Sequence, residues 1–405
     1  MNPIVIIGAG AAGIAAARRL QELERPYVLV EAKAFTGGRC VTDRATFGSP
    51  VDLGAHWFHS PAFNPLVPLA DRLGVRYAAE ALRGRYHRDG SWLTDADQTA
   101  CENYLEAAFD RIAAFAGDVA IKDLFPDPTS PWHDAFLAEL RAKQGVTVEE
   151  SSSRDFARYV WKGDDLPVTG GFGTLLAKLA DGLNIRTATP VSRVDWSGRN
   201  IRITTPVGTI DADRIILAIS TAVLREGIDF HPSLPDWKQR AIDDLPLGSC
   251  NKVALRFTVP VFGDCPASLV LPLRGAHEAV EFVLRESEAE IATCLINGPF
   301  AKELAAEGAA AMTDYALARL ADMFGSGIKK WVSPQQVIAD WDHDPFIRGC
   351  YAAARIGHAD ARAELAIPID ERLFFAGEAC SVTYMGDVHG AWLTGTAAAE
   401  AAAAQ

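Results

Sequence analysis

The chain has 405 residues, of which 49% are hydrophobic and 22% charged, a composition that excludes a disordered protein and leaves room for two packed domains. The formal net charge of −13 argues against a nucleic-acid partner, because phosphate binding requires clustered lysine and arginine. Since no leader pattern precedes the first apolar run and no run is long enough to span a bilayer, we expect a soluble cytoplasmic protein.

The beginning of the chain has the pattern of a βαβ unit. A β-branched apolar run, Ile4–Ile7, leads into a glycine-rich turn at residues 8–13, and an alanine-rich helical pattern continues to about residue 24. A second apolar run, Tyr27–Val30, ends at the acidic residue Glu31. Strand, glycine turn, helix, strand and acid in this order predict the first unit of a dinucleotide-binding fold.

The three glycines of this turn each have a physical role. Gly8 permits the sharp bend, Gly10 lets a pyrophosphate approach the backbone, and Gly13 lets the helix pack on the strand. The start of the helix then offers free N–H groups and a positive dipole end to the phosphates. Glu31 is placed to accept hydrogen bonds from the ribose hydroxyls of an adenosine.

The rest of the chain alternates between helical and strand patterns. Residues 71–162 are mostly helical in pattern, and short strands then form a meander that leads back to a buried strand of the first sheet. The predicted strands of this part are residues 191–196, 201–205, 209–210 and 214–219. A second sheet includes residues 252–259 and 279–284, residues 373–376 form another buried strand, and helices are expected at 301–324 and 388–404.

A second glycine turn, Thr36-Gly37-Gly38-Arg39, favours FAD over NAD, because FAD is longer and needs more backbone around it. Here the sequence resembles the flavin-containing amine oxidase family, which includes monoamine oxidases, polyamine oxidases and the lysine-specific histone demethylase. The resemblance is carried by residues 8–13, 37–39, 52–59, 170–172, 251–253, 341, 348–351, 374–378 and 389–391.

The resemblance implies an α/β fold in which a Rossmann-like FAD-binding domain is interleaved with a substrate domain of mixed sheet plus helices. We expect the FAD-binding domain to comprise residues 1–75, 165–250 and 366–405. The substrate domain is expected to comprise residues 76–164, which hold a helical insertion, and residues 251–365.

Several cofactor contacts follow from the same resemblance. Arg39 matches a contact to the flavin end, Val191 a backbone contact to the adenine, and Glu378 a ligand of the ribitol. Gly377 puts Glu378 at the carboxyl end of an apolar strand, where open α/β sheets hold their ligands. Val388 begins the last helix, whose N–H groups are expected to face the isoalloxazine carbonyl and stabilise negative charge there.

Three residues match catalytic or substrate positions of the family. The lysine that matches Lys252 holds a water near flavin N5 and assists reoxidation by oxygen, whereas an ordinary strand lysine is solvated. Tyr351 matches one wall of an aromatic cage for the substrate amine, and the alternative is a core tyrosine with its hydroxyl satisfied. His59 matches a histidine beside the substrate channel of polyamine oxidases, and the alternative is a structural histidine.

Asp387 is the clearest departure from the family pattern, because it occupies the second cage position, where relatives have tyrosine or threonine. Its carboxylate is expected either to pair with a second ammonium of a diamine or polyamine, or to cap the last helix through its first N–H groups. Cys350 coincides with the cysteine that monoamine oxidases bond to the flavin, although many relatives bind FAD without a bond. The seven cysteines show no CxxC spacing and are expected to be reduced, with no metal site.

These observations predict an FAD-dependent amine oxidase. A hydride would pass from the substrate α-carbon to flavin N5, giving an imine that hydrolyses, and O2 would reoxidise the flavin to yield H2O2. The expected partners are a small-molecule amine and oxygen, with no membrane, and the oligomeric state is open. The alternatives are a related flavin desaturase or oxidase acting on C–C bonds, and a non-catalytic FAD-binding interaction protein.

Overall fold

A computed structural model describes residues 2–125, 127–275, 277–285 and 289–404 of the chain. The strands in chain order are β1 (Ile4–Ile7), β2 (Tyr27–Val30), β3 (Thr42–Asp43), β4 (Val51–Asp52), β5 (Trp57–Phe58), β6 (Arg83–Arg88), β7 (Ser91–Trp92), β8 (Leu166–Pro167), β9 (Ile185–Arg186), β10 (Arg193–Asp195), β11 (Ile201–Thr205), β12 (Gly208–Ala212), β13 (Arg214–Leu217), β14 (Asp229–His231), β15 (Cys250–Phe257), β16 (Ser268–Leu273), β17 (Ala279–Leu284), β18 (Ile291–Asn297), β19 (Val332–Ala339) and β20 (Leu373–Phe375).

The helices are distributed between these strands. They are α1 (Ala11–Glu22), α2 (Val67–Leu73), α3 (Asp95–Ala114), α4 (His133–Gln144), α5 (Ser153–Ala157), α6 (Phe172–Ala180), α7 (Thr221–Glu226), α8 (Asp236–Asp243), α9 (Gly298–Glu307), α10 (Ala309–Phe324), α11 (Ala361–Ala366) and α12 (Val388–Ala403), with 3-10 turns at Ile121–Leu124, Ser326–Trp331 and Glu378–Cys380. Among the described residues, no helix combines the length and apolar character needed to cross a membrane.

The first sheet is parallel, with strand order β20-β13-β1-β2-β9. Its central strands are apolar and buried on both faces, as expected of a parallel sheet covered on each side. Helices α1 and α12 pack on one face, and the other face packs against α8, α11 and the sheet β12-β11-β10-β14. This arrangement places the ends of β1, β2 and β20 on one side of the fold.

The second large sheet is mixed, with strand order β19-β15-β18-β17-β16-β6-β7. Helices α9 and α10 cover one face of this sheet. The other face is covered in two parts, by α3 and α4 over the β6 and β16 side and by the segment around Phe47 and Val51 over the β15 and β19 side.

The architecture confirms the predicted fold class. The meander at β10 to β12 and the strands β1, β2, β11, β17 and β20 occur where the sequence patterns placed them, within one or two residues. The helices α3 to α5 of the insertion lie at 95–157, inside the predicted range of 71–162. The five strands of the parallel sheet lie within residues 1–75, 165–250 and 366–405, while the mixed sheet takes its strands from residues 83–92 and 250–339. The domain boundaries themselves remain a prediction.

Candidate cofactor and substrate site

The glycine turn after β1 leaves no room for side chains. Gly8 has φ of +101°, and a Cβ on it would lie 2.6 Å from the carbonyl oxygen of Ala218, the residue that follows β13. A Cβ on Gly13 would lie 1.8 Å from the oxygen of Gly8, so only glycine lets α1 pack this closely on β1. Helix α1 starts after Gly10 without a side-chain cap and without an acidic residue in its first turn. Its N–H groups therefore form a site suited to phosphate.

The second glycine turn lies beside the first. Gly37 donates its N–H to Ala9 at 2.8 Å and pairs with Gly10, while Gly38 has φ of +61° and a position where a Cβ would come 3.1 Å from the Gly10 Cα. This contact brings Arg39 to the same edge of the parallel sheet. Two adjacent backbone loops without side chains are what an extended pyrophosphate needs.

Glu31 closes the adenosine side of this cradle. Its Oε2 accepts the N–H of Ala9 at 2.6 Å and its Oε1 accepts the N–H of Lys33 at 2.8 Å. Burial raises the pKa of the Glu31 carboxyl, against the lowering effect of these two N–H groups. Each carboxylate oxygen keeps a further lone pair, so a ribose diol can still donate to it. Thr189 donates its N–H to the Glu31 carbonyl, which brings the half-buried Val191 to the same end.

Glu378 joins three segments at the opposite end. It follows Gly377 after β20, and Arg39 donates to its Oε1 at 3.0 Å. It also accepts the N–H of Ala352 at 3.2 Å and that of Gly386 at 3.3 Å, while Arg39 additionally donates to the carbonyl of Cys350. Glu378 thus ties the end of β20 to the segment before α12.

The middle of α12 packs against the start of α1. A Cβ on Gly395 would come 2.1 Å from the oxygen of Ala12, and Val388, the first residue of α12, packs on the same core as α1. The start of α1, the glycine loops and the Glu31 carboxylate meet at the ends of β1 and β2, and Glu378 follows β20 of the same parallel sheet. This donor set fits FAD: Glu31 would hold the adenosine, and Arg39 and Glu378 would hold the ribitol and the flavin.

Lys252 is a buried residue of β15, with 3% of its surface exposed, so the solvated strand lysine considered from the sequence is wrong. Its Nζ donates to the carbonyl of Gly54 at 2.6 Å and to that of Asp52 at 3.3 Å, and it lies 3.0 Å from Nδ1 of His56. These contacts fix a positive charge on the segment that precedes β5. Two backbone carbonyls and the His56 ring therefore hold the ammonium in one place.

Tyr351 lies on the segment that Glu378 anchors. Its hydroxyl donates to the carbonyl of Ala142 in α4, and its ring contacts Gly386 just before α12. Burial raises the pKa of the phenol well above its ordinary value. Because the hydroxyl is engaged by α4, the ring face is the part of Tyr351 that is available to a ligand.

Asp387 precedes α12 but does not cap it, because its side chain makes no hydrogen bond to the helix N–H groups. The capping alternative is therefore wrong. Its Oδ2 accepts the hydroxyl of Tyr159 at 2.5 Å, its Oδ1 lies 3.7 Å from Nε2 of His59, and its Oδ2 lies 3.5 Å from Nδ1 of His389. Burial raises the pKa of Asp387 to about 6, and His59 and Tyr159 lower it in part.

His59 lies between two carboxylates, Asp387 and Asp165. Its Nδ1 is 2.8 Å from Oδ1 of Asp165, although the N–H is not aligned for a hydrogen bond, so the attraction is mainly between charges. Burial alone lowers the pKa of His59, but Asp387 and Asp165 together outweigh it and raise the pKa to about 9. Asp165 and Tyr159 were not among the predicted site residues. Both come from the helical insertion and its exit, where no local motif marks them.

Cys350 is buried, and Arg39 donates to its carbonyl. Its N–H donates to Gly248 at 2.8 Å, and its sulfur lies where a Cβ on Gly145 would come within 2.7 Å of it. Burial raises the pKa of the thiol well above its ordinary value. The seven cysteines are all unpaired, and no group of metal-ligating side chains occurs in the described part of the chain.

A two-loop cradle suited to a dinucleotide, with a buried lysine and a tyrosine on segments that contact Arg39, is the arrangement of a flavin-dependent oxidoreductase. The family described as flavin containing amine oxidoreductase matches residues 11–91 and 78–403, and the chain belongs to this family. It is accordingly an FAD-dependent enzyme that acts on amines.

The chain is similar to several curated proteins over nearly its whole length. Probable polyamine oxidase 4 of Arabidopsis thaliana is 28% identical over 98% of this chain and 86% of its own. Polyamine oxidase 2 of the same plant is 29% identical over 98% of this chain and 87% of its own. Lysine-specific histone demethylase 1B of Mus musculus is 26% identical over 99% of this chain but 53% of its own length.

Solved structures share the fold. Cyclohexylamine oxidase from Brevibacterium oxydans superposes with a TM-score of 0.83 at 21% identity, covering 100% of this chain and 99% of its own. A putrescine oxidase redesigned in its cofactor binding superposes with a TM-score of 0.81 at 19% identity, again covering 100% and 99%. At these identities the superpositions establish the architecture.

Proposed function

We propose that the protein oxidises a diamine or polyamine at a carbon beside one of its nitrogens. When bound, FAD supplies the acceptor for the hydride of that carbon. The amine nitrogen loses a proton, water hydrolyses the resulting imine to a carbonyl compound and an amine, and O2 takes the two electrons and two protons to form H2O2. The observation that carries the proposal is the buried carboxylate Asp387, which follows Gly386, the residue that the ring of Tyr351 contacts.

We assign roles to the residues from their contacts. Lys252 keeps a positive charge where oxygen is reduced, and a fixed charge in a buried place stabilises developing negative charge without reorganisation. The ring face of Tyr351 forms one wall for the substrate nitrogen, which carries partial positive charge as its hydride leaves. His59 and Asp387 line the approach as one paired unit.

We propose the cofactor contacts on the same basis. Gly8, Gly10, Gly13 and Gly38 give the pyrophosphate access to backbone N–H groups. Glu31 binds the adenosine ribose and Val191 borders the adenine. The flavin and ribitol contacts are Arg39, Cys350, Gly377, Glu378 and Val388.

The remaining assignments are a cytoplasmic location and no nucleic-acid partner. Seven unpaired cysteines fit a reducing compartment. The net charge of −13 disfavours phosphate backbones and favours cationic substrates.

The test is reduction of the bound flavin under anaerobic conditions by a panel of mono-, di- and polyamines, followed by peroxide measurement after air is admitted. We expect bleaching of the flavin absorbance by at least one class of di- or polyamine and one peroxide per reduction cycle. A protein that retains FAD yet is bleached by no amine would support the C–C desaturase or the interaction protein instead.

A further inference from the structure

One row of residues crosses the mixed sheet through Lys252. In the antiparallel ladders, Lys252 of β15 is opposite Leu295 of β18, and Leu295 is opposite Glu281 of β17. Residues directly opposite in a ladder point to the same face, so Glu281 and Lys252 share a face. Two strand spacings of about 4.8 Å put their Cα atoms roughly 10 Å apart.

This face is the one that borders the site. The neighbours of Glu281 in sequence, Val280 and Phe282, pack into the core under α9 and α10, so Glu281 points the other way. On its side, α4 packs against β17, and the segment at 52–56 contacts Lys252. Glu281 is therefore at the boundary between the cover formed by α3 and α4 and the cover formed by the segment around Phe47 and Val51. Tyr351 contacts the first of these covers through Ala142 of α4.

The lysines nearest to Glu281 in charge are engaged by other groups. In the part of the chain that the structure describes, no hydrogen bond or ion pair involves its carboxyl group. Lys143 of α4 pairs with Glu139 at 3.8 Å and lies over the ring of Trp161, and Lys252 is held by backbone carbonyls. Burial and the nearby Glu139 raise the pKa of Glu281 to about 8, against the opposing effect of Lys143 and Lys252.

A second observation indicates that the space beside Glu281 holds a polar occupant. Asn297 is the last residue of β18 and is opposite Ala279 of β17. Ala279 is two residues before Glu281, so Asn297 is on the same face of the sheet as Glu281. Its side chain is 1% exposed, and its Nδ2 has no hydrogen-bond partner among the described residues. Buried amides are normally hydrogen-bonded, so an unpartnered one points to a bound water or ligand.

We propose that Glu281 binds the second ammonium group of the substrate while the reacting end of the same molecule lies between Lys252 and Tyr351. The inference rests on the proposed amine oxidation and names the residue that selects diamines and polyamines. Asp387 is the weaker candidate for this role, because His59 already supplies the cation beside it. A carboxyl group that is costly to ionise alone becomes favourable when a cation reaches it.

The experiment compares Glu281→Gln with the unsubstituted holoenzyme, using α,ω-diaminoalkanes of increasing length and n-alkylamines of matched length. Loss of a charge-assisted hydrogen bond predicts a rise of about 10- to 100-fold in KM for the favoured diamine, with the monoamines changed little. Glu281→Leu is expected to lose the diamine in the same way and to bind monoamines better. Glu307→Gln, an exposed carboxylate on α9, is the matched control and should leave both classes unchanged.

The unsubstituted protein provides an independent measurement. The ratio of kcat/KM for the diamine to that for the monoamine should increase as the pH rises through about 8, because Glu281 then ionises in the presence of Glu139, Lys143 and Lys252. Taking the ratio cancels the ionisation of the reacting nitrogen. An equal effect of Glu281→Gln on both amine classes, or a ratio independent of pH, would overturn the proposal. Failure of the amine oxidation itself is distinct, since no amine would then reduce the unsubstituted protein.

Discussion

Nε2 of His59 lies 3.7 Å from Oδ1 of Asp387. His59, the residue after β5, therefore balances the charge of the carboxylate that precedes α12. The pKa of His59 is raised to about 9 and that of Asp387 to about 6, which means that the two groups carry opposite charges between these values. Tyr159 and Asp165 complete the cluster. The carboxylate expected to receive a substrate cation therefore has a cation of the protein beside it.

This pairing predicts a pH-dependent contribution of His59 to stability. The folded protein holds the His59 proton more tightly than the unfolded chain, whose pKa is near 6.5, so the contribution is fully present below about pH 6.5. It should be lost as the pH rises from about 6.5 to 9. We expect the difference in unfolding free energy between the protein and His59→Gln to shrink over this range in urea titrations. His343→Gln, at an exposed histidine, is the control, and a difference that does not change with pH would contradict the assignment.

The variant Asp387→Asn distinguishes the role of Asp387 in substrate binding from that of Glu281. Because the charge of Asp387 is already matched by His59, its removal should lower the pKa of His59 and affect KM for diamines and monoamines by similar factors. Glu281→Gln should affect diamines alone. Steady-state peroxide assays of both variants with both amine classes measure this contrast. If Asp387→Asn raised KM for diamines alone, Asp387 and not Glu281 would be the residue that binds the second ammonium group.

The glycine turn gives a prediction on folding and cofactor binding. A methyl group on Gly13 would overlap the Gly8 carbonyl, so Gly13→Ala should fold poorly and contain no flavin. A Cβ on Gly10 would lie 3.8 Å from Gly38, an ordinary contact, so Gly10→Ala should fold but bind FAD weakly, because the methyl group faces the pyrophosphate. Circular dichroism and flavin content measure the two effects. A yellow, stable Gly13→Ala protein would contradict the packing described for α1.

The sequence predicted the parts of the structure that depend on neighbours along the chain. The turn after β1, Glu31 and the strand before Glu378 each have a local signature, and the positions of these elements agree with it. Lys252 was singled out because its segment resembles a known family; the structure buries it, and its role stays a prediction.

Residues whose role depends on distant pairing were not found. The proposed role of Glu281 depends on the strand register that puts it opposite Leu295. The positions of Asp165 and Tyr159 depend on how the insertion packs against His59 and Asp387. Strand β18 is buried along its whole length and its sequence lacks the alternation that marks a half-exposed strand. No local pattern contains this information.

Lys252→Met tests the role of the buried ammonium. Its loss removes the charge at the site of oxygen reduction, so reoxidation of the reduced flavin by O2 should slow by about 10- to 100-fold or more, in line with one preorganised electrostatic contact. Anaerobic reduction by amines should change much less. Stopped-flow absorbance of the flavin resolves the two half-reactions.

The control for this variant is Lys238→Met. Lys238 is also fully buried, and its Nζ donates to three backbone carbonyls at the end of α11. Both variants lose a buried lysine and leave carbonyl groups unpaired, and both should lower the unfolding temperature. Only Lys252→Met should slow reoxidation. Equal reoxidation rates in the two variants would show that Lys252 has a structural role alone.

The last prediction concerns the bond between Cys350 and the flavin. A thioether forms from a thiolate, and burial raises the pKa of Cys350 well above its ordinary value, so the thiol form dominates near neutral pH. The sulfur also lies against Gly145 at the end of α4, on the side of the helical insertion. We therefore expect FAD to be held without a covalent bond. Acid precipitation should leave a colourless pellet and release FAD into the supernatant, and Cys350→Ser should retain the same flavin content. The bond would be established if the colour stayed in the pellet of the unsubstituted protein and moved to the supernatant in Cys350→Ser. Cys380→Ser is the control and should then keep the colour in the pellet. That result would also show that cofactor binding lowers the pKa of the Cys350 thiol.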